Sequence, residues 1–364
     1  MFMAEIEKIN NDFVNLFREG RPLLENGCGK AMNVCREEAF RHFEALGGVP
    51  YKTEDYWYTD LSSVLGLDYK IVLKYIAQDV DLKEVFRCAV PDLLTNLILT
   101  VNGWYFKENA PIEIPEGVIV CGLQEAGVKY PHLLESHYNR YTPAAAKDGM
   151  IALNTAFAQD GLFVYIPKNT VVERPLQVVN LLRAKADLMA FQRNLIVVEA
   201  GAQATMLVCD HTLSDNRFLM NNTTEVYLGE GAHLDYYQVQ NQHLGASQIN
   251  SLLISEQRNS VFESNLVTLY GGMIRNNQYV ALNGEGGECH LYGIYILDKS
   301  QHVDNYSYID HIAPHCTSNE HFKGVLDDAS VANFSGCIRV EPDAQKTEAY
   351  QANNNPVSYT HLEP

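Results

Sequence analysis

The sequence predicts a mainly β protein, a β-helix or solenoid behind a small helical N-terminal region. Three observations predict it. Between about residues 111 and 350, short β-rich runs alternate with Gly and Asn/Asp punctuation. Several of these runs are variations on one strand–corner–strand unit. Helical periodicity is confined to roughly the first 50 residues.

In residues 3–19 the apolar positions Ile6, Ile9, Phe13, Leu16 and Phe17 recur at three- and four-residue intervals, which places them on one helix face. A second helix is expected through Val34, Phe40, Phe43 and Leu46. It ends at Gly47 and Gly48, where glycine takes the left-handed geometry of a C-terminal cap, with Pro50 beyond. An aromatic segment follows over 51–69, holding Tyr56, Trp57 and Tyr58. Residues 97–106 read as strand and turn at Asn102-Gly103, a dipeptide in which both residues tolerate positive φ.

The β body is expected over 111–355, after an N-terminal region of 1–110. Residues 196–206, 225–235 and 280–290 each run from β residues through a Gly/Ala/acidic corner into more β residues; 164–178 has the same form and 325–331 is a looser match. Stacked units of this kind bury a core that none could bury alone. A β-sandwich is the alternative. The spacing is uneven, 30 residues from Gly201 to Gly231 and 55 from Gly231 to Gly286.

The formal charge of −18 over 364 residues argues against nucleic-acid or anionic-membrane binding. The N-terminus lacks the basic-then-apolar pattern of a signal peptide. The most apolar window, 90–106, is broken by Pro91, Asp92, Asn96 and Asn102, so no membrane helix is expected and the location is read as cytoplasmic. Eight scattered cysteines without a C-x-x-C read as reduced thiols, with no locally encoded cluster site.

The densest reactive segment is 301–316, followed by His321. Along a strand, His302, Asp304 and Asp310 share one side with Tyr306 and Tyr308, and His311 takes the other. His302, Asp304, His311, Cys316 and His321 are the candidate metal ligands, since imidazole, carboxylate and thiolate suit zinc or iron. Hydrogen bonding between rungs is the competing role for them. Neither a P-loop nor a G-x-G-x-x-G occurs, and Gly229-Glu-Gly231 and Gly284-Glu-Gly286 carry a glutamate where phosphates would lie. Two enzyme readings stay open on these residues: a carbohydrate-active β-helix enzyme, and a metal-dependent enzyme using the 302–321 segment.

Residues 271–355 carry a recognisable set of motifs: Gly271-Gly272, Arg275, Leu-Asn-Gly at 282–284, Leu-Tyr-Gly at 291–293, Gln-His-Val-Asp at 301–304 and Asp-His-x-x-Pro at 310–314. Then come Ser318, Phe-Lys-Gly-Val-Leu at 322–326, Phe-Ser-Gly at 334–336, Ala-Gln-Lys-Thr at 344–347 and Gln351. In order and spacing they resemble the core of the SufB/SufD family of iron–sulfur cluster assembly proteins. Thr-Glu-Asp-Tyr-Trp-Tyr-Thr-Asp-Leu at 53–61 is more similar to the SufD branch. The resemblance implies a right-handed parallel β-helix and a non-catalytic scaffold subunit of the SUF complex. It implies a SufB-like subunit and a SufC-like ABC ATPase as partners, or a homodimer when alone. By the same resemblance no cofactor is held tightly, and iron or an iron–sulfur cluster passes transiently through a subunit interface. In the family the chain continues into further β structure, a Cys-Ser-His-Gly motif and a helical tail. Residues 356–364 match none of these, and the sequence reads as C-terminally truncated with a non-family tail.

Overall fold

The structure, a computed structural model, describes residues 2–77 and 94–355. Cys88, residues 90–93 of the apolar window and the tail at 356–364 lie outside the described residues.

The N-terminal helices are α1 (Phe2–Glu25) and α2 (Lys30–Ala45). Ile6, Ile9, Phe13 and Phe17 of α1 are buried as their spacing requires. In α2 the buried stripe is Met32, Arg36, Ala39, Phe40 and Phe43. Val34 is 61% exposed and Leu46 38% exposed, so two of the four residues expected on the inner face lie off it. Gly47 and Gly48 both take φ +87°, and their N–H groups close the helix onto Glu44 O and Phe43 O. A 3-10 turn (Glu54–Tyr56) and the short helix α3 (Ser62–Leu65) carry the chain to β1 (Lys70–Ile71).

β2 (Asn96–Val101) and β3 (Trp104–Tyr105) form the expected hairpin, with φ +51° at Asn102 and +84° at Gly103. β4 (Ile119–Gly122) follows. The next stretch differs from the expectation of uninterrupted β structure. It contains α4 (Leu123–Lys129), α5 (Pro131–His137) and α6 (Gly149–Phe157). All nine residues of α6 are buried. A helix buried all round needs no polar face and so shows no 3.6-residue period.

The strands β5 (Leu162–Ile166), β6 (Val171–Leu182), β7 (Leu188–Val198), β8 (Gln203–Thr212), β9 (Phe218–Leu228), β10 (His233–Asn241), β11 (Ala246–Glu256), β12 (Val261–Tyr270), β13 (Met273–Leu282), β14 (Glu288–Leu297), β15 (His302–His311), β16 (Thr317–Leu326), β17 (Val331–Val340) and β18 (Glu348–Asn354) alternate between two nine-stranded sheets. One runs β17-β15-β13-β11-β9-β7-β5-β4 with β1 beside β7; the other runs β18-β16-β14-β12-β10-β8-β6-β2-β3. Apart from the β2–β3 and β4–β5 pairs, all neighbours are parallel. The result is a parallel β-solenoid of about seven turns. Ile196, Val226, Phe262, Val280, Leu291 and Phe322 lie in its interior core.

The uneven corner spacing has a simple cause. Gly201, Gly231 and Gly286 take φ +68°, +65° and +72° at the corner from the first sheet to the second. Asn259 occupies the same place in the rung between the last two, with φ +53°, so the long gap is two rungs. Asparagine tolerates this conformation through its short polar side chain. Each corner is stitched to the next, Gly201 N to Glu230 O and Gly231 N to Arg258 O, both at 2.8 Å. The loosely matching run 325–331 belongs to the opposite corner, from β16 (Thr317–Leu326) to β17 (Val331–Val340).

Two motif glycines fill the interior by absence. Gly293 lies directly opposite Phe322, and a Cβ on it would stand 2.2 Å from the ring. Gly324 lies opposite Tyr295 in the same way, at 1.9 Å. Each aromatic ring occupies the space its neighbour vacates, which is close packing across a rung.

The helical region seats on the outer face of the first sheet. Phe13, Phe17, Phe40, Phe43 and Phe157 pack with Phe191, Leu219, Ile249 and Met273 of successive strands. Fully burying such a side chain contributes about 1.5–3 kcal/mol each.

Candidate functional site: a polar network under the aromatic segment

Beside this apolar seat the outer face of the first sheet becomes polar. β13 (Met273–Leu282) and β15 (His302–His311) present alternate side chains outward there, and the 53–61 segment lies over them. Arg275 is the hub. Its Nε donates to Asn277 Oδ1 at 2.7 Å, Nη1 to Thr59 Oγ1 at 3.1 Å and Nη2 to the Asp55 carbonyl at 2.7 Å. Its guanidinium also faces the rings of Tyr56 at 4.5 Å and Tyr306 at 5.2 Å.

Two carboxylates end this network and differ in character. The Asp304 carboxylate accepts from Thr59 Oγ1, from His302 Nε2 at 2.8 Å and from Asn333 Nδ2 at 2.5 Å. Burial pushes its pKa up, but the His302, Thr59 and Asn333 hydrogen bonds outweigh that and hold it below the ordinary carboxylate range. Asp148 accepts from Tyr56 OH at 2.8 Å and from the Met150 N–H at 2.8 Å, capping α6. Its burial prevails over those bonds and raises it.

The five sequence-predicted residues divide among three places. His302 and Asp304 are paired on the outer face of the first sheet. With Nε2 committed to Asp304, the Nδ1 of His302 is the ring atom left to act as a ligand or proton acceptor, on a side chain 30% exposed. His311 points into the solenoid, where Nε2 meets Ser318 Oγ at 2.9 Å and burial pushes its pKa down to about 4. Cys316 is also buried; its Sγ donates to Gly284 O at 3.3 Å, and burial raises the thiol, keeping it protonated. His321 stands on the second sheet, with Nε2 3.0 Å from Asn354 Nδ2. Among the described residues no three His, Cys, Asp or Glu side chains come close enough together to hold a metal ion.

Sequence reasoning missed three features. Thr59 and Asp148 join the network from segments far from β13 and β15, and no local spacing announces them. The solenoid interior carries a polar seam, with Asn180 bonded to Asp210 at 2.8 Å, Gln240 to Asn276 at 2.8 Å and Asn276 to Asn305 at 2.9 Å. Amide side chains recurring at inward positions once per rung are its signal. Finally, Glu320 is fully buried, and burial outweighs the Ser307 hydroxyl that faces it and raises its pKa to about 7.

Comparison with known proteins accounts for the way the motifs coincide with the structure. A family model described as the SufBD protein N-terminal region matches residues 7–178, and one for the SufBD core domain of SUF-system FeS cluster assembly matches 181–357. The chain belongs to the SufBD family. A SufBD family iron–sulfur cluster assembly protein of Synechocystis is 26% identical over 318 residues, covering 84% of this chain and 69% of its own. A Staphylococcus saprophyticus member is 23% identical over 355 residues, covering 90% and 74%. A chloroplastic Arabidopsis thaliana member is 28% identical over 241 residues, covering 63% of this chain and 42% of its own. In SufBD terms, the N-terminal match takes in the helices and the hairpin, and the core match takes in the stacked rungs. Arg275 and the 301–304 motif, which carried the resemblance, are the residues that clamp the 53–61 segment onto the core. No helix among the described residues is long and apolar enough to cross a membrane.

Proposed function

We propose that this chain is a scaffold subunit of a SUF iron–sulfur cluster assembly complex, of the SufD type, working with a SufB-like subunit and a SufC-like ATPase. The observation that carries the reading is the match of both SufBD regions across the chain, joined by a solenoid. The SufD assignment rests on the 53–61 segment, which the structure uses to lock the helical region onto β13 and β15. A non-catalytic role, with ATP hydrolysed by the partner, is supported by a sequence that lacks a P-loop lysine in its proper setting.

Iron, or a nascent cluster, is cargo in this reading. The His302–Asp304 pair is a partly exposed donor on this chain: a carboxylate fixes the imidazole and leaves one ring nitrogen for a borderline metal. It supplies at most part of a coordination sphere, so a partner subunit would complete it. Cytoplasmic location goes with the same reading.

The test is co-expression of the complete open reading frame with SufB-like and SufC-like proteins of the same genome, pulling down through a tag on this chain. Recovery of a stable three-component complex supports the reading. Recovery of this chain alone, at any ratio of partners, contradicts it.

A further inference from the structure

A cavity of about 610 Å³ is lined by β1, the β2–β3 hairpin and the start of the strand paired with β1. Its lining includes Lys70, Lys74 and Lys185, with Arg183, which has a partner of its own, and no Asp or Glu lines it among the described residues. That concentration of positive charge stands out in a chain with 45 acidic and 27 basic residues. Lys70, Lys74 and Lys185 line it and make no ion pair among the described residues.

The rest of the lining is of another kind. Trp104, Leu188 and Met189 give the cavity an apolar wall with one large aromatic face. Tyr75 holds Trp104 from the side, edge to face, with ring centroids 6.0 Å apart. The walls are tied together across the cavity. Lys70 N–H donates to Asp187 O at 2.9 Å and pairs β1 with the start of β7 (Leu188–Val198). On the far side, Asn102 Nδ2 donates to Arg183 O at 2.7 Å while Asn102 Oδ1 accepts from Arg183 N–H at 2.9 Å. The hairpin that carries Trp104 is thereby fixed to the loop that carries Lys185.

A cavity of this volume suits a ligand of drug or nucleotide size. Three lysines in one lining call for a compact anion, and an indole on an apolar wall calls for a flat ring. We propose that this cavity binds a small organic phosphate with an aromatic body, of nucleoside monophosphate size. The phosphate sits among Lys70, Lys74 and Lys185, and the ring lies against Trp104. This inference is independent of the assembly reading and uses none of its residues.

The chain has two tryptophans, and Trp57 is 63% exposed. In a Trp57→Phe variant of the whole chain, Trp104 is the remaining indole and reports on the cavity. AMP, adenosine and inorganic phosphate are titrated separately, following Trp104 fluorescence. Saturable quenching by AMP is expected, at least tenfold tighter than the response to adenosine or to phosphate and weakening as salt rises. The triple variant Lys70→Ala, Lys74→Ala, Lys185→Ala should lose at least tenfold in AMP affinity with an unchanged circular dichroism spectrum. Absence of a saturable response to AMP overturns the proposal. So does adenosine or phosphate binding as tightly as AMP, or AMP binding that ignores the lysine substitutions.

Discussion

Replacing Arg193 with methionine should be among the most damaging single changes in the solenoid. Arg193 is fully buried on β7, with Nε and Nη2 donating to Glu225 Oε1 at 2.9 and 2.7 Å. Its Nη1 donates to Thr155 Oγ1 of α6 at 3.1 Å, and its guanidinium faces the rings of Tyr138 and Tyr141. Glu225 in turn accepts the backbone N–H groups of Asn139 and Arg140 at 3.1 and 3.0 Å. One ion pair therefore joins two strands, α6 and the 138–142 loop. Methionine fills the space of the aliphatic stem but leaves the Glu225 carboxylate buried without its cation. Removing one member of a buried pair costs about 3–5 kcal/mol, a large part of the roughly 5–15 kcal/mol that holds an ordinary domain folded. Urea unfolding gives the loss, and hydrogen exchange should show 138–157 opening first. Adding Glu225→Gln to Arg193→Met should restore part of the loss, because glutamine still accepts one of the two backbone bonds and carries no charge. A single variant within about 1 kcal/mol of the parent would refute this reasoning, and so would a double variant less stable than the single.

Other expectations follow from named contacts. Glu320, raised to about 7 by burial, favours the folded state only when protonated; the unfolded glutamate titrates near 4.3. Stability therefore falls as pH rises from about 4 to 7 at this site, and Glu320→Gln should exceed the parent at pH 8 by on the order of 3 kcal/mol, with no gain at pH 4 in urea titrations. Asp304 has the opposite sign. Its lowered pKa gives stability fully present above about pH 4 and lost as pH falls through the folded value, so Asp304→Asn should cost about 1–3 kcal/mol at pH 7 and progressively less on acidification below pH 4. Faster hydrogen exchange at 53–61 should accompany it; protection equal to the parent's would remove Asp304 from the clamp. Gly324→Ala drives a methyl into the Tyr295 ring and should cost at least about 1–3 kcal/mol, partly recovered by Tyr295→Leu in the same denaturation series.

Much of this fold was legible in the chain. The Asn102-Gly103 turn, the glycine pair closing α2 and the corners at 201, 231 and 286 each declare their geometry through residues that accept positive φ. The missing rung hid behind Asn259, which does the same work without being glycine. α6 was illegible because burial on every side erases the period by which helices are recognised. Strand alternation put His302 and Asp304 on one face and His311 on the other, as the structure has them. It could not show that Thr59, 245 residues away from Asp304 in sequence, closes over that face. Candidate ligands gathered along one segment were in fact distributed by the solenoid to an outer face, an interior and the opposite sheet.

We propose above that this chain serves iron–sulfur cluster assembly as a non-catalytic subunit. The most direct measurement is cluster formation by a reconstituted mixture of the complete protein with its SufB-like and SufC-like partners, ATP, ferrous iron and a sulfide source, followed by visible absorbance. Cluster yield should depend on this subunit, while ATP hydrolysis should be abolished by mutating the partner's P-loop and unaffected by His302→Ala here. An equal cluster yield with this subunit left out would contradict the account.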